Sequence, residues 1–231
     1  MHDGVRSVVF LVDVDNTLLD NDTAQNDYLQ HIREHLGARA AERYWSIFEE
    51  LTKELGYADY LGALQRYRLE DFHDPRLLLM SSFLLDYPFK DRLYPFSLDV
   101  LKRLHSLGPT VVFSDGDVVF QPRKVERSGI RDAVEGRVLI YIHKEEQLND
   151  VERLYPADHY VLIDDKRRIL AAIKKLWGAR VTTIQPLQGH YAKDTNAQAA
   201  YPPADITVAR IGDLLDYDFS TITEAGRRQQ A

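Results

Sequence analysis

Five consecutive apolar residues, Val8, Val9, Phe10, Leu11 and Val12, run directly into the pair Asp13 and Asp15. No other stretch of the chain constrains the fold as much. A run that is apolar at every position has no solvent-facing side, so residues 7–12 are predicted to form a short strand covered on both faces, as inner strands of a parallel sheet are. Charge gathered where such a strand stops lies at the carboxyl rim of the sheet, where open parallel sheets bind their ligands.

The rest of the 231-residue chain supports that reading in its second half and interrupts it in its first. Between about residues 20 and 92 the apolar positions repeat at helical spacing. Tyr28, Ile32 and Leu36 precede Gly37; Tyr44, Phe48, Leu51 and Leu55 precede Gly56; Leu79, Phe83 and Leu84 follow Asp74-Pro75. Glycine is a common helix stop and Asp-Pro a common start, so this segment is predicted to be a helical insertion. After Tyr94-Pro95, helices alternate with short strands at 110–113, 138–142, 160–163, 181–184 and 206–208, with Ser97 expected to cap the first of these helices. Such alternation predicts an α/β fold, a Rossmann-like parallel sheet with helices on both faces, made of residues 1–19 and 93–231, with 20–92 as an inserted domain. Residues 226–231 are expected to be a frayed tail.

Composition narrows the function. With 36 acidic and 29 basic residues the net charge is −7, which disfavours nucleic acid or an anionic membrane as partner. No apolar run reaches the roughly 20 residues needed to span a bilayer, and the first residues do not form a secretory signal. The absence of cysteine removes disulfides, thiolate metal sites and cysteine nucleophiles, and fits a reducing, cytoplasmic setting. Assembly into a homo-oligomer is left open.

The rim of the predicted sheet carries the chemistry. Asp13 and Asp15 follow the first strand, Ser114 and Asp115-Gly116-Asp117 the second, Lys144 the third, and Asp164-Asp165 the fourth. Three groups of carboxylates brought to one rim repel each other unless a cation or proton joins them. In their order and at these strand ends, Asp13-Val14-Asp15-Asn16-Thr17, Ser114, Lys144 and Asp164-Asp165 resemble the four motifs of the haloacid dehalogenase superfamily. The similarity covers the α/β core, about two thirds of the chain, and its specific part is the D-x-D-N-T segment. The insertion resembles that superfamily's first type of helical cap.

The resemblance implies a Mg2+-dependent hydrolase acting on a small phosphorylated metabolite. Asp13 is then the nucleophile that forms an aspartyl-phosphate, and Asp15 the acid that protonates the leaving oxygen and later the base that activates water. Lys144 neutralises charge, while Ser114 and backbone N–H groups near Asp115 and Gly116 hold the transferring oxygens. Asp13, the Asp15 carbonyl, Asp164 and Asp165 form the metal set, with Asp165 favoured as the direct ligand. Dehalogenases of the superfamily lack the second aspartate, so Asp15 favours phosphate over carbon–halogen chemistry. A phosphomutase, a phosphonate hydrolase that uses Lys53, a 2-haloacid dehalogenase, and a phosphate-binding or receiver-like module remain as alternatives. The fourth motif departs from the common pattern, reading Asp-Asp-Lys-Arg-Arg, so Lys166, Arg167 and Arg168 either aid an anionic substrate or begin a helix.

Other residues carry plainer expectations. Lys124 competes with Lys144 for the place of the motif lysine; Lys144 directly follows a strand, whereas Lys124, with Arg123 and Arg127, reads as a solvated helix face, which favours Lys144. His31 and His35 are four apart but lack a third ligand, which favours a solvated face over a metal site. Trp45, Tyr57 and Tyr60 fit the core of the insertion better than a substrate entrance. The segment 185–191 is expected to be a structured surface loop, with His190 its one candidate for substrate contact.

Overall fold

The computed structural model describes residues 6–70 and 74–222. Six strands, β1 (Arg6–Val12), β2 (Thr110–Asp115), β3 (Val138–Tyr141), β4 (Ala157–Ile163), β5 (Val181–Pro186) and β6 (Ile206–Val208), pair in parallel in the order β3-β2-β1-β4-β5-β6. The chain moves outward from β1 to β3, then crosses back to β4 on the other side of β1. That reversal opens a crevice at the carboxyl ends of the central strands.

Alternating side chains of β1 feed two cores. Val8, Phe10 and Val12 face one layer and Val9 and Leu11 the other, and all are fully packed. The first layer holds α5 (Ser97–His105), α6 (Phe120–Arg127) and α7 (Ile130–Ala133). The second holds α8 (Leu148–Leu154) and α9 (Arg167–Trp177), with Trp177 stacked on Tyr160 at 4.2 Å. Two short helices, α10 (Gly189–Lys193) and α11 (Thr195–Ala199), follow β5.

The helical segment expected after β1 is present as α1 (Asn21–Leu36), α2 (Ala38–Leu55), α3 (Tyr60–Arg68) and α4 (Leu77–Asp86). Aromatic residues at helical spacing hold it together. Tyr28 meets Tyr44 edge-on at 5.2 Å and stacks on Phe83 at 5.8 Å, and the Tyr44 hydroxyl donates to the Tyr60 carbonyl at 3.0 Å. The two connecting segments run side by side, with Asp20 N donating to Arg92 O at 2.7 Å and Tyr94 N to Leu18 O at 2.9 Å.

Two local expectations change. Ser97 does not cap its helix; it is the first helical residue, and its hydroxyl donates to Leu18 O at 2.7 Å, tying α5 to the exit of β1. Strand β2 runs two residues further than its apolar run, because Ser114 and Asp115 stay in register with Ile140 and Tyr141 of β3. The expected tail, 226–231, lies outside the described residues.

Candidate active site

β1 ends at Val12, so Asp13 emerges at the crevice with its side chain buried. Its Oδ1 accepts from Ser114 Oγ at 3.2 Å and from Lys144 Nζ at 2.6 Å. Lys144 follows His143, which adopts a left-handed backbone (φ 57°), a costly conformation for a residue with a side chain that turns the chain sharply after β3. The turn is braced by Lys144 N donating to Asp115 Oδ1 at 2.7 Å, and it aims the buried ammonium back over the sheet. That ammonium also donates to Phe113 O at 3.0 Å and pairs with Asp164 Oδ2 at 2.6 Å. Burial by itself would lower the Lys144 pKa, but Asp13 and Asp164 outweigh it and hold the group charged.

The acids converge. Asp13, Asp164 and Asp165 each offer an oxygen within 4.8 Å of the others, all buried. Asp165 N donates to Thr17 Oγ1 at 3.0 Å and Gln185 Nε2 donates to Asp165 O at 2.9 Å, which fixes the Asp165 backbone. Its two side-chain oxygens and Asp13 Oδ2 have no hydrogen-bond partner. The buried Lys144, with the charge of Lys166 nearby, thus faces three buried carboxylates. Burial, opposed by Lys144 and aided by Asp13, pushes Asp164 up to about 6, and burial together with Asp164 pushes Asp165 well above the usual carboxylate range. Unpartnered buried carboxylate oxygens are costly, and this set suits a hard divalent cation that takes oxygen ligands.

Asp15 stands apart from that group. Its carboxylate, a quarter exposed, pairs with Lys124 Nζ at 2.6 Å and accepts weakly from Gln121 Nε2 at 3.4 Å. Lys124 is therefore not on a solvated face. It is 1% exposed, its ammonium also donates to Asn21 Oδ1 at 2.9 Å, and it lies 5.1 Å from the Phe120 ring centroid. Gln121, also buried, donates to Ser114 Oγ at 3.1 Å. Neither residue was singled out as part of the site, although both sit in the first two turns of the helix that leaves β2, where one face must look over the rim. Gly116 is where the expected anion cradle changes: its N–H donates to Tyr141 O at 3.0 Å and so is not free for a substrate. A side chain there would meet Gln121 Cβ at 2.5 Å.

The segment after β5 does more than cover the surface. Gln188 is buried, donates to Thr17 O at 3.0 Å and accepts from Ile211 N at 2.7 Å, so it braces the D-x-D-N-T turn from below. His190 Nδ1 meets Asp22 Oδ1 at 2.7 Å, and Asn16 Nδ2 donates to the same oxygen at 2.9 Å. A cavity of about 500 Å³ opens beside Asp15 and Asn16, with Trp45 and Tyr60 of the insertion on one side and Lys166, His190 and Tyr191 on the other. Trp45 and Tyr60 thus line the entrance as well as the insertion's core, whereas Tyr57 and the exposed Lys53 do not line it. Arg167 and Arg168 begin α9 and are occupied, by Gln198 O at 2.6 Å and Glu145 at 2.5 Å. His31 packs on the Phe83 ring at 4.3 Å, and no metal-binding group includes it among the described residues.

No protein-family model and no curated protein matches the chain. Among solved structures, one assigned as a haloacid dehalogenase-like hydrolase of Burkholderia xenovorans LB400 is 63% identical over 92% of this chain and 99% of its own, with a TM-score of 0.89. The chain belongs to the haloacid dehalogenase-like hydrolases. The fold of this hydrolase extends to more distant structures. The magnesium-bound HAD-hydrolase YfnB of Bacillus subtilis has a TM-score of 0.62 at 16% identity, over 90% of this chain and 97% of its own. The L-2-haloacid dehalogenase of Xanthobacter autotrophicus has a TM-score of 0.60 at 16% identity, over 91% and 97%. No helix among the described residues of the hydrolase is long and apolar enough to cross a membrane.

Proposed function

We propose that this hydrolase is a phosphatase that cleaves a small phosphate monoester through a phosphorylated Asp13. The observation that carries the reading is the placement of the second aspartate. Asp15 lies two residues beyond Asp13, outside the cluster of buried acids, with its carboxylate at the cavity and gripped by Lys124. Expelling a halide needs no proton, whereas expelling an alkoxide does, and a carboxyl group beside the leaving-group cavity supplies it.

The remaining residues take roles that follow from their contacts. Asp13 attacks phosphorus and exchanges one difficult displacement for two easier ones. Lys144 pairs with Asp13, holds it aligned and balances the negative oxygens of the phosphoryl group. Ser114, oriented by Gln121, donates to an equatorial oxygen. Asp15 protonates the departing alcohol, then withdraws a proton from the water that cleaves the acyl phosphate. Magnesium would be held by Asp13 and Asp165, with Asp164 beside them, and when bound it would neutralise phosphate charge that Lys144 leaves unbalanced. Residues 20–92 act as a cap that closes over the site and excludes water, while 1–19 and 93–231 carry the chemistry.

The reading is tested by steady-state release of inorganic phosphate from excess phosphate monoesters, with magnesium and after chelation. Turnover that stops on chelation and returns with added magnesium supports it. Halide release from 2-chloropropionate without any phosphate release would replace it with dehalogenation.

A further inference from the structure

We infer that the substrate's leaving group carries a flat heteroaromatic ring; this rests on the phosphatase reading above and names the class of phosphate ester that the site takes. A cavity of about 500 Å³ is far larger than a phosphoryl group with a short aliphatic tail requires, and falls in the range that holds a cofactor- or nucleoside-sized ligand. It begins at Asp15, so whatever fills it is attached to the leaving oxygen.

Its walls favour a ring. Trp45 is partly exposed and is held by Phe48, a buried ring stacked on it at 5.0 Å and 25°. Tyr191 reaches the cavity from the segment after β5, and its ring is tilted at 40° against His190, with centroids 3.9 Å apart. Two partly exposed aromatic side chains supplied by different parts of the fold, each in contact with another ring, suit an inserted planar group that packs on both.

The polar edge favours a heteroaromatic ring over a hydrocarbon one. Gln25 and Asn26, on the face of α1 that lines the same cavity, make no side-chain hydrogen bond among the described residues, and each amide presents both a donor and an acceptor. Ring nitrogens with exocyclic carbonyl or amino groups pair with such amides; a hydrocarbon ring leaves them empty. Lys166, whose ammonium lies 5.4 Å from the Tyr191 ring centroid, adds a cation at the same wall, its charge also drawn by Asp165. Anionic or carbonyl-bearing substituents on the ring fit that position.

The test compares esters that differ in the ring. Uridine and guanosine 5′-monophosphates, flavin mononucleotide and pyridoxal 5′-phosphate are assayed against ribose 5-phosphate and glycerol phosphate, with acetyl phosphate as a generic phosphoryl donor and magnesium present. At least one ring-bearing ester should exceed both aliphatic esters in kcat/KM by about tenfold or more, the factor that one stacking contact supplies. Trp45→Ala should bring that ratio to within about threefold of unity, mainly through KM, since the contact acts on binding. Tyr191→Ala, in a surface segment, makes the same test should Trp45→Ala fail to fold. Equal or better use of the aliphatic esters overturns the proposal while leaving the phosphatase reading intact. A ring preference unchanged in the folded variants overturns the assignment to these walls. Release of phosphate from none of the esters, acetyl phosphate included, overturns both.

Discussion

Lys124 Nζ lies 2.6 Å from Asp15 Oδ1 in a pair whose lysine is sealed from solvent. The same ammonium donates to Asn21 Oδ1, and Asn21 Nδ2 donates to the Tyr60 hydroxyl at 3.3 Å, so Asp15 is wired to the first and third helices of the insertion. The orientation of Asp15 is thereby coupled to the position of the cap.

Lys124→Met should therefore impair catalysis in a way that depends on the leaving group. Loss of a well-placed general acid costs about 10²–10⁴ in rate, and Met keeps the length of the side chain while releasing Asp15. Turnover of an alkyl phosphate should fall by at least about tenfold, and turnover of p-nitrophenyl phosphate, whose phenolate leaves without a proton, by clearly less. Equal losses on both would assign Lys124 a purely structural role.

Breaking the Lys144 pair should be felt in stability as well as rate. Lys144→Met leaves Asp13 and Asp164 without their cation, and removing one partner of a buried ion pair costs about 3–5 kcal/mol. Urea unfolding of the metal-free protein should show that loss, and magnesium should recover part of it by supplying charge to the same acids.

Asp164 and Asp165 give the stability a distinct pH dependence. Burial raises both folded-state pKa values above the unfolded value of 3.8, with Asp164 at about 6. A raised folded value means that the folded protein holds these protons more tightly, so the contribution is present below about pH 4, and that of Asp164 is lost as pH rises through about 6. Magnesium competes for the deprotonated acids, so its effect on Tm should be small at pH 5 and large at pH 7.5. Asp165→Asn should raise the Tm of the metal-free protein and abolish the magnesium-dependent shift. Thermal denaturation at both pH values, with and without magnesium, reads all of this.

Gly189 should tolerate no side chain. Its φ of +67° already disfavours one, by about 1–2 kcal/mol, and a Cβ would meet Asn16 Cβ at 2.6 Å. Gly189→Ala should lower Tm and disturb the turn that carries Asp13 and Asp15, with kcat falling; an alanine variant with wild-type Tm and kcat would contradict the packing.

The fold was legible in the sequence because β1, β2 and β4 each carry a short apolar run that ends at a carboxylate or a hydroxyl, Asp13, Ser114 and Asp164. The sites at Asp13, Ser114, Lys144, Asp164 and Asp165 followed from their position at strand ends, since topology alone carries such residues to one rim. Lys124 and Gln121 were not legible, because a lysine and a glutamine on a helix rich in basic residues look the same whether they face water or a buried carboxylate. The Gly116 amide was misassigned for a related reason: whether a rim N–H is free depends on how far the β2–β3 ladder runs, and apolar character stops before the pairing does. The role of Gln188 was equally hidden, since it is set by the turn above it and not by its own neighbours in sequence.

The central claim is that Asp13 becomes phosphorylated during turnover. It is tested most directly by quenching the enzyme in acid during steady-state hydrolysis, reducing it with borohydride, and locating the modified residue by mass spectrometry, since an acyl phosphate on aspartate is reduced to homoserine. Conversion confined to Asp13, dependent on substrate and on magnesium, is the expected result. Continued phosphate release with Asp13 unmodified, or with full activity in Asp13→Asn, would contradict it.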